Sequence, residues 1–162
     1  MFQSLRAGIA EESERYINVL LILNILKNKR FRTEWAVLVS SLIFALSHFL
    51  NLFSAPPYQM TLNQVIYQAI NAFGLGCFLA VLFLFSGKLW LTALVHTFYD
   101  VQGMSITTLG LVGDSVLSLF TQTGIVLILW IGLSTIIFHL NRKAIKKNAE
   151  IISTKYNSSE TI

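Results

Sequence analysis

The chain has 162 residues, of which 54% are hydrophobic and only 12% are charged. With a mean hydropathy of +0.64, it lies far outside the balance of a soluble globular domain, which predicts an integral membrane protein. The net charge of +4 does not indicate nucleic-acid binding, because the basic residues are divided among predicted loops and form no single basic face. The single cysteine, Cys77, excludes an internal disulfide and a multi-cysteine metal site.

The fold class predicted from hydropathy is all-α, a multi-pass membrane bundle of about five helices. A first helix at residues 5–27 is long enough to span but carries a charged first half. Apolar stretches at 33–53, 62–86, 89–104 and 116–140 are each long enough to cross about 30 Å of hydrocarbon. Thr33 and Thr61 can cap the second and third helices, and Gly87 can end the third. We expect the second to end at Ala55-Pro56-Pro57 and the last to start at Asp114 or Ser115.

The basic residues follow the positive-inside pattern if the helices alternate in direction. They come after the first, third and last helices, within 27–32, at Lys88 and within 142–147. The basic side is therefore expected to be cytoplasmic, in a protein of the cell membrane. We expect a helical membrane domain at residues 1–147 and a polar, disordered cytoplasmic tail at 148–162. No removable signal peptide is expected.

The first ionisable motif is Glu11-Glu12-Ser13-Glu14-Arg15. Arg15 lies four residues after Glu11 and three after Glu12, so a helix allows it to reach either carboxylate. One glutamate would then be held in place while the other handles a proton. A solvated, charged first turn of a helix explains the motif equally well, since carboxylates are favourable near a helix N-terminus.

The second motif is Phe44-x-x-x-His48, with His48 well inside a span. Its helix face also carries Asn51, and Phe44 is assigned to the wall of a cavity. In the third helix, helical spacing places a polar stripe on one face, formed by Gln64, Gln68 and Asn71. A hydrogen-bonded packing histidine is the alternative interpretation of His48.

The third motif is His96-x-x-x-Asp100, in which the carboxylate can hydrogen-bond the imidazole one turn away. A charged group at the bilayer centre costs about 3 kcal/mol, so these residues need partners. With alternating helix directions, all three motifs and the polar stripe lie at similar depth. The sequence therefore predicts one shared polar cavity within the membrane.

Taken in order, the three motifs resemble the CPBP family of intramembrane proteases. This family contains the type II CAAX prenyl endopeptidases and the bacterial bacteriocin-processing or immunity (Abi) proteins. Residues 72–76 and 86–90 also resemble the third-helix and turn segments of that family. The resemblance extends from about residue 8 to residue 100. Further spans usually precede the first motif in this family, whereas here that motif begins at residue 11.

The resemblance implies a glutamate-dependent endopeptidase that uses an activated water and no cofactor, acting on a peptide or protein substrate in the lipid bilayer. The implied roles are Glu11 as general base, Glu12 as its neighbour, Arg15 as orienting cation, His48 as water-binding partner, and His96 with Asp100 at the oxyanion. The family spacing is Glu-Glu-x-x-x-Arg, and Arg15 comes one residue early. Which glutamate it pairs with stays open.

Two other functions are compatible with the same residues. A noncatalytic bacteriocin immunity or membrane-interaction protein would keep the fold and bind a peptide or partner. A zinc protease would use the two histidines and the carboxylates as ligands. No His-Glu-x-x-His motif is present, however, and we expect no metal.

Overall fold

The computed structural model describes residues 2–55, 59–108 and 116–159. For residues 2–4, 7, 103–108, 116–120 and 156–159, only the helical backbone is described. The helices are α1 (Phe2–Ile25), α2 (Arg32–Ser47), α3 (Leu62–Ser86), α4 (Leu89–Thr108), α5 (Val116–Leu140) and α6 (Arg142–Ser159), with a short 3-10 helix (His48–Phe53) continuing α2. No strand occurs in these residues. The expectation of an all-α membrane bundle is confirmed, with one helix more than predicted.

Local side-chain chemistry sets both ends of α3. Thr61 and Gln64 form a capping box, in which the Thr61 Oγ1 accepts from the Gln64 N–H and the Gln64 Oε1 accepts from the Thr61 N–H at 2.9 Å. Gly87 ends the helix in the left-handed conformation, with φ of 67°. Both boundaries agree with the sequence prediction.

The start of α2 differs from the prediction. The helix begins at Arg32 after Phe31, and no side chain caps it. Thr33 lies inside the first turn and is buried, so its predicted capping role is wrong. The residues expected to end the second helix (56–57) and to start the last (114–115) lie outside the described part of the chain.

Helix α3 lies at the centre of the bundle. It contacts α2 on one side and α5 on the other, while α1 packs against α4 and α2. Three helical stretches among the described residues are long and apolar enough to cross a membrane: Arg32–Phe53, Leu62–Ser86 and Thr121–Leu140. Of these, the span in α3 is 61% buried and that in α5 only 11%, so α5 is peripheral. Together, the apolar surface and the helical packing describe a membrane protein.

The crossing of α1 and α4 positions the motifs, and it depends on a small residue. A Cβ added at Gly8 would lie 2.5 Å from the Thr97 Oγ1 and 3.1 Å from the Ala93 carbonyl oxygen. Only glycine therefore permits this approach. In lipid, burial of apolar surface contributes little to helix association. Close packing through small residues is a main source of that association instead.

Helix α6 occupies most of the segment that was expected to be a disordered tail. Its Ile145 and Ala149 are fully buried in the core between α1 and α3. The Ser153 hydroxyl hydrogen-bonds the Asn24 side chain at 2.7 Å, and Asn148 donates to the Phe85 carbonyl at 2.8 Å. Residues 148–159 therefore differ from the expectation, because an apolar stripe at helical spacing gives this polar segment a buried face.

Candidate active site

The crossing of α1 and α4 brings Glu12 and His96 into direct contact. The His96 Nδ1–H donates to the Glu12 Oε1 at 2.8 Å, although the two residues are 84 positions apart in sequence. Glu12 is 1% exposed and His96 is 3% exposed. A short contact to a buried carboxylate holds the imidazole in one orientation.

Arg15 supplies the compensating charge from the same helix. Its Nε donates to the Glu12 Oε1 at 3.1 Å, and its Nη2 lies 3.0 Å from the same oxygen. Arg15 is itself only 2% exposed. The ambiguity left by the early position of the arginine is thereby resolved, since the ion pair forms with Glu12 at i,i+3 spacing. One oxygen of Glu12 thus receives the guanidinium and the imidazole together.

The rest of the Arg15 side chain is enclosed by α2 and α3. Its Cζ lies 3.9 Å from the centre of the Phe44 ring, in cation–π geometry. A Cβ added at Gly76 would lie 2.7 Å from the Arg15 Nη1 and 3.1 Å from the Ser41 Cβ. Sequence reasoning missed Gly76 and Ser41 as site residues. The feature of the sequence that pointed to them was the presence of a glycine and a serine on two apolar helices.

Glu11 and Asp100 lie on the more open side of His96. The Glu11 Oε2 is 3.5 Å and the Asp100 Oδ1 is 3.7 Å from the His96 Nε2. Their side chains are 37% and 31% exposed, respectively. The imidazole therefore faces a buried, ion-paired carboxylate with one nitrogen and two accessible carboxylates with the other.

His48 approaches the same cluster from the end of α2. Its Nδ1 lies 2.9 Å from the Phe44 carbonyl oxygen, and its ring packs edge-on against the Phe44 ring at 4.8 Å. A positive charge on the His48 ring would act on the Glu11 and Asp100 carboxylates, so this ring lies on their side of the cluster. Because a carbonyl only accepts, Nδ1 carries the proton and a neutral His48 keeps Nε2 as an acceptor. Phe44 contacts both histidines, with its ring 5.8 Å from that of His96.

The four polar residues expected to line the cavity do not share one environment. The Asn51 Nδ2 donates to the Gln68 Oε1 at 2.8 Å, which joins the 3-10 helix to α3. Asn71 has a buried Oδ1 without a hydrogen-bond partner. Gln64 is exposed and belongs to the capping box of α3 instead. Helical spacing places Gln64 on the same face of α3 as the rest of the polar stripe. Gln64 lies in the first turn of α3, however, and so is at the end of the helix.

The six ionisable residues singled out from the sequence therefore converge. Within the described ranges, no three His, Cys, Asp or Glu side chains are arranged to hold a metal ion. What the cluster offers is a fixed imidazole, a second histidine with an accessible nitrogen, and two carboxylates on an open side. Such groups can exchange protons with water and stabilise a developing negative charge.

The all-α membrane bundle thus brings these groups together from α1, α4 and the 3-10 helix that continues α2. Residues 1–102 match the family model of the type II CAAX prenyl endopeptidase Rce1-like proteins, and the chain belongs to that family. All six ionisable residues lie within the matched region. Comparisons with curated proteins and with solved structures find no significant match.

Proposed function

We propose that this protein is a glutamate-dependent intramembrane endopeptidase in which Glu11 is the general base. The observation that carries the proposal is the unequal engagement of the two adjacent glutamates. Glu12 is bound by Arg15 and His96 and is 1% exposed. Glu11 is 37% exposed and shares the open side of the cluster with His48 and Asp100.

In this mechanism a water molecule is held between Glu11 and the Nε2 of His48. Its oxygen attacks the carbonyl carbon of the scissile peptide bond while its proton passes to the Glu11 carboxylate. The C–N bond then breaks, and the same proton is delivered to the leaving amine. No acyl-enzyme forms, and the enzyme returns to its starting protonation state.

His96 is assigned to the oxyanion. Since its Nδ1–H is directed to Glu12, its Nε2 can donate only when the ring is doubly protonated. In that state the Nε2–H faces the open side of the cluster, where Glu11 and Asp100 lie. The Nε2–H can then stabilise the tetrahedral intermediate. Asp100 and Arg15 act as positioning residues, the first on His96 and the second on Glu12.

The proposed substrate is a peptide whose scissile bond lies near the membrane surface, with a prenylated CAAX peptide as the first candidate from the family. The enzyme would be a multi-pass protein of the cell membrane, with its basic loops in the cytoplasm and the acidic cluster toward the other side. The membrane domain would comprise residues 1–147.

The test uses purified protein in detergent and a quenched fluorescent CAAX peptide, with and without a farnesyl group. Glu11→Gln should lower cleavage by a factor on the order of 10²–10⁴, the usual contribution of a positioned base. Glu14→Gln is the matched control, because Glu14 is exposed on the same helix, outside the cluster. If Glu11→Gln cleaves at the rate of the unaltered protein, Glu11 is not the base.

A noncatalytic bacteriocin immunity or membrane-interaction protein predicts a different outcome. Neither peptide would be cleaved, and protection of cells from a peptide bacteriocin would survive both Glu11→Gln and His48→Ala. Loss of protection in both variants, together with cleavage by the unaltered protein, would exclude this alternative.

A further inference from the structure

A second feature with its own chemistry lies where α2 begins and α5 ends. A cavity of about 330 Å³ opens there between α2, α3 and α5. Most of its wall is apolar and is formed by Phe31, Val37, Leu38, Val81, Ile131 and Phe138, while Glu34, His139 and Arg142 also line it. Because it lies at the ends of two candidate membrane spans, we expect its mouth at the boundary between hydrocarbon and headgroups, on the side of the basic residues.

Charged side chains border this mouth. The Glu34 Oε1 is 3.4 Å from the Arg142 Nη2 and 3.4 Å from the Lys146 Nζ. Two cations therefore share one carboxylate oxygen at long distances, which leaves a net positive charge. The Arg142 side chain is 50% exposed and that of Lys146 is 35% exposed. Most of their N–H donors can consequently bind another anion.

We infer that this cavity is a binding site for an anionic phospholipid, with one acyl chain in the cavity and the phosphate held by Arg142 and Lys146. The size and apolar lining are those of small-molecule pockets. Guanidinium and ammonium groups bind phosphate through charge-assisted hydrogen bonds. A basic pocket between membrane helices that opens to the headgroup layer can bind both parts of a lipid, the acyl chain and the phosphate.

Charge complementarity selects this lipid over a zwitterionic one with the same chains. Arg142, Lys146 and the exposed Lys143 outnumber the Glu34 carboxylate at the mouth, so the cationic headgroup of a phosphatidylcholine would meet a net positive charge. A phosphatidylglycerol headgroup adds no positive charge. The site therefore distinguishes lipids at the headgroup, while the cavity accepts the chain.

The lipid site is independent of the proposed protease chemistry. None of the six ionisable residues of the candidate active site lines this cavity. Glu11→Gln should consequently leave lipid binding unchanged, so failure of one proposal does not imply failure of the other.

The experiment titrates the purified full chain in detergent with phosphatidylglycerol or phosphatidylcholine of identical chains and counts bound lipid by native mass spectrometry. We expect preferential binding of phosphatidylglycerol. The double variant Arg142→Gln/Lys146→Gln should lose that preference by a factor on the order of tenfold. The matched control is Lys143→Gln/Lys147→Gln, which removes the same charge from exposed positions of α6 that neither line the cavity nor form an ion pair with Glu34.

A second pair of variants tests the cavity without altering charge. Thr135→Trp places an indole at the cavity and should displace the acyl chain, reducing binding of both lipids. Ile136→Trp is the control, because Ile136 is 56% exposed and does not line the cavity. If the two double charge variants lost the preference for phosphatidylglycerol equally, that preference would come from general attraction to a basic surface. This result would overturn the proposal. Unaltered binding by Thr135→Trp would also overturn it, even if the charge variant failed to fold.

Discussion

Two ionic clusters at different positions in the bundle contain similar residue types in very different surroundings. The Glu12–Arg15–His96 cluster is 1–4% exposed and has contacts of 2.8–3.1 Å. The second, which joins Glu34 to the basic start of α6, is 26–50% exposed with contacts of 3.4 Å. Helix packing buries the three side chains of the first cluster, whereas the second borders a cavity mouth.

This difference shows that burial, more than the identity of the charges, determines what an ion pair can do. In the buried cluster each group depends on its partners, since removing one leaves an uncompensated charge at low dielectric. In the exposed cluster, water and salt can replace either partner. The first can therefore hold its side chains in one geometry, and the second leaves N–H donors free to bind a further anion.

The largest expected effect comes from removing the cation of the buried cluster. Arg15→Ala should lower the free energy of unfolding by about 3–5 kcal/mol, because Glu12 would keep its burial and lose its guanidinium. Titration of the purified protein with SDS in mixed micelles, followed by circular dichroism, measures this change. Arg15→Lys is the control that retains a charge, and it should lose less. A loss below about 1 kcal/mol for Arg15→Ala would mean that the two clusters are energetically equivalent.

A smaller effect is expected from crowding the same arginine. Gly76→Ala places a Cβ 2.7 Å from the Arg15 Nη1 and 3.3 Å from the Ser41 Cα, so it should destabilise the protein by about 1–3 kcal/mol. Gly124→Ala provides the matched comparison on α5, where an added Cβ meets nothing within 4 Å. It should be neutral or stabilising by up to about 1 kcal/mol, as alanine is the better helix former. Equal thermal shifts in the two variants would contradict the close packing around Arg15.

The smallest effect is expected at the exposed cluster. Glu34→Gln should change the free energy of unfolding by less than about 1 kcal/mol, because its partners are accessible to solvent. Raising the salt concentration should reduce this difference further, while the effect of Arg15→Ala should persist. Parallel SDS titrations at low and high salt measure both. A salt-independent loss of several kcal/mol for Glu34→Gln would place both clusters in the same energetic class.

Individual residues show which features of the structure could be predicted from the sequence and which could not. The cap at Thr61 and the helix end at Gly87 could be predicted because each depends on a few neighbouring residues. The pairing of Arg15 could not, since i,i+3 and i,i+4 partners are both accessible on a helix. In the structure Arg15 pairs with Glu12, and the same Glu12 carboxylate contacts His96 on another helix.

Helix α6 and the enclosure of Arg15 were not anticipated. The polar composition after residue 147 favoured disorder, and the stabilising contacts of Ile145 and Ala149 are with α1 and α3, far away in the sequence. Gly76 and Ser41 likewise carry no chemistry of their own. Their importance arises only where a guanidinium passes between their helices.

The sequence by itself determined the membrane class, the helical architecture and the order of the three ionisable motifs, because hydropathy and helical spacing are local properties. The tertiary structure decided which glutamate is buried with Arg15, which one faces the open side, and how a second charged cluster meets an apolar cavity. These outcomes depend on the crossing and rotation of distant helices. Helix rotation is set by packing across the whole bundle, and that information is absent from any single segment.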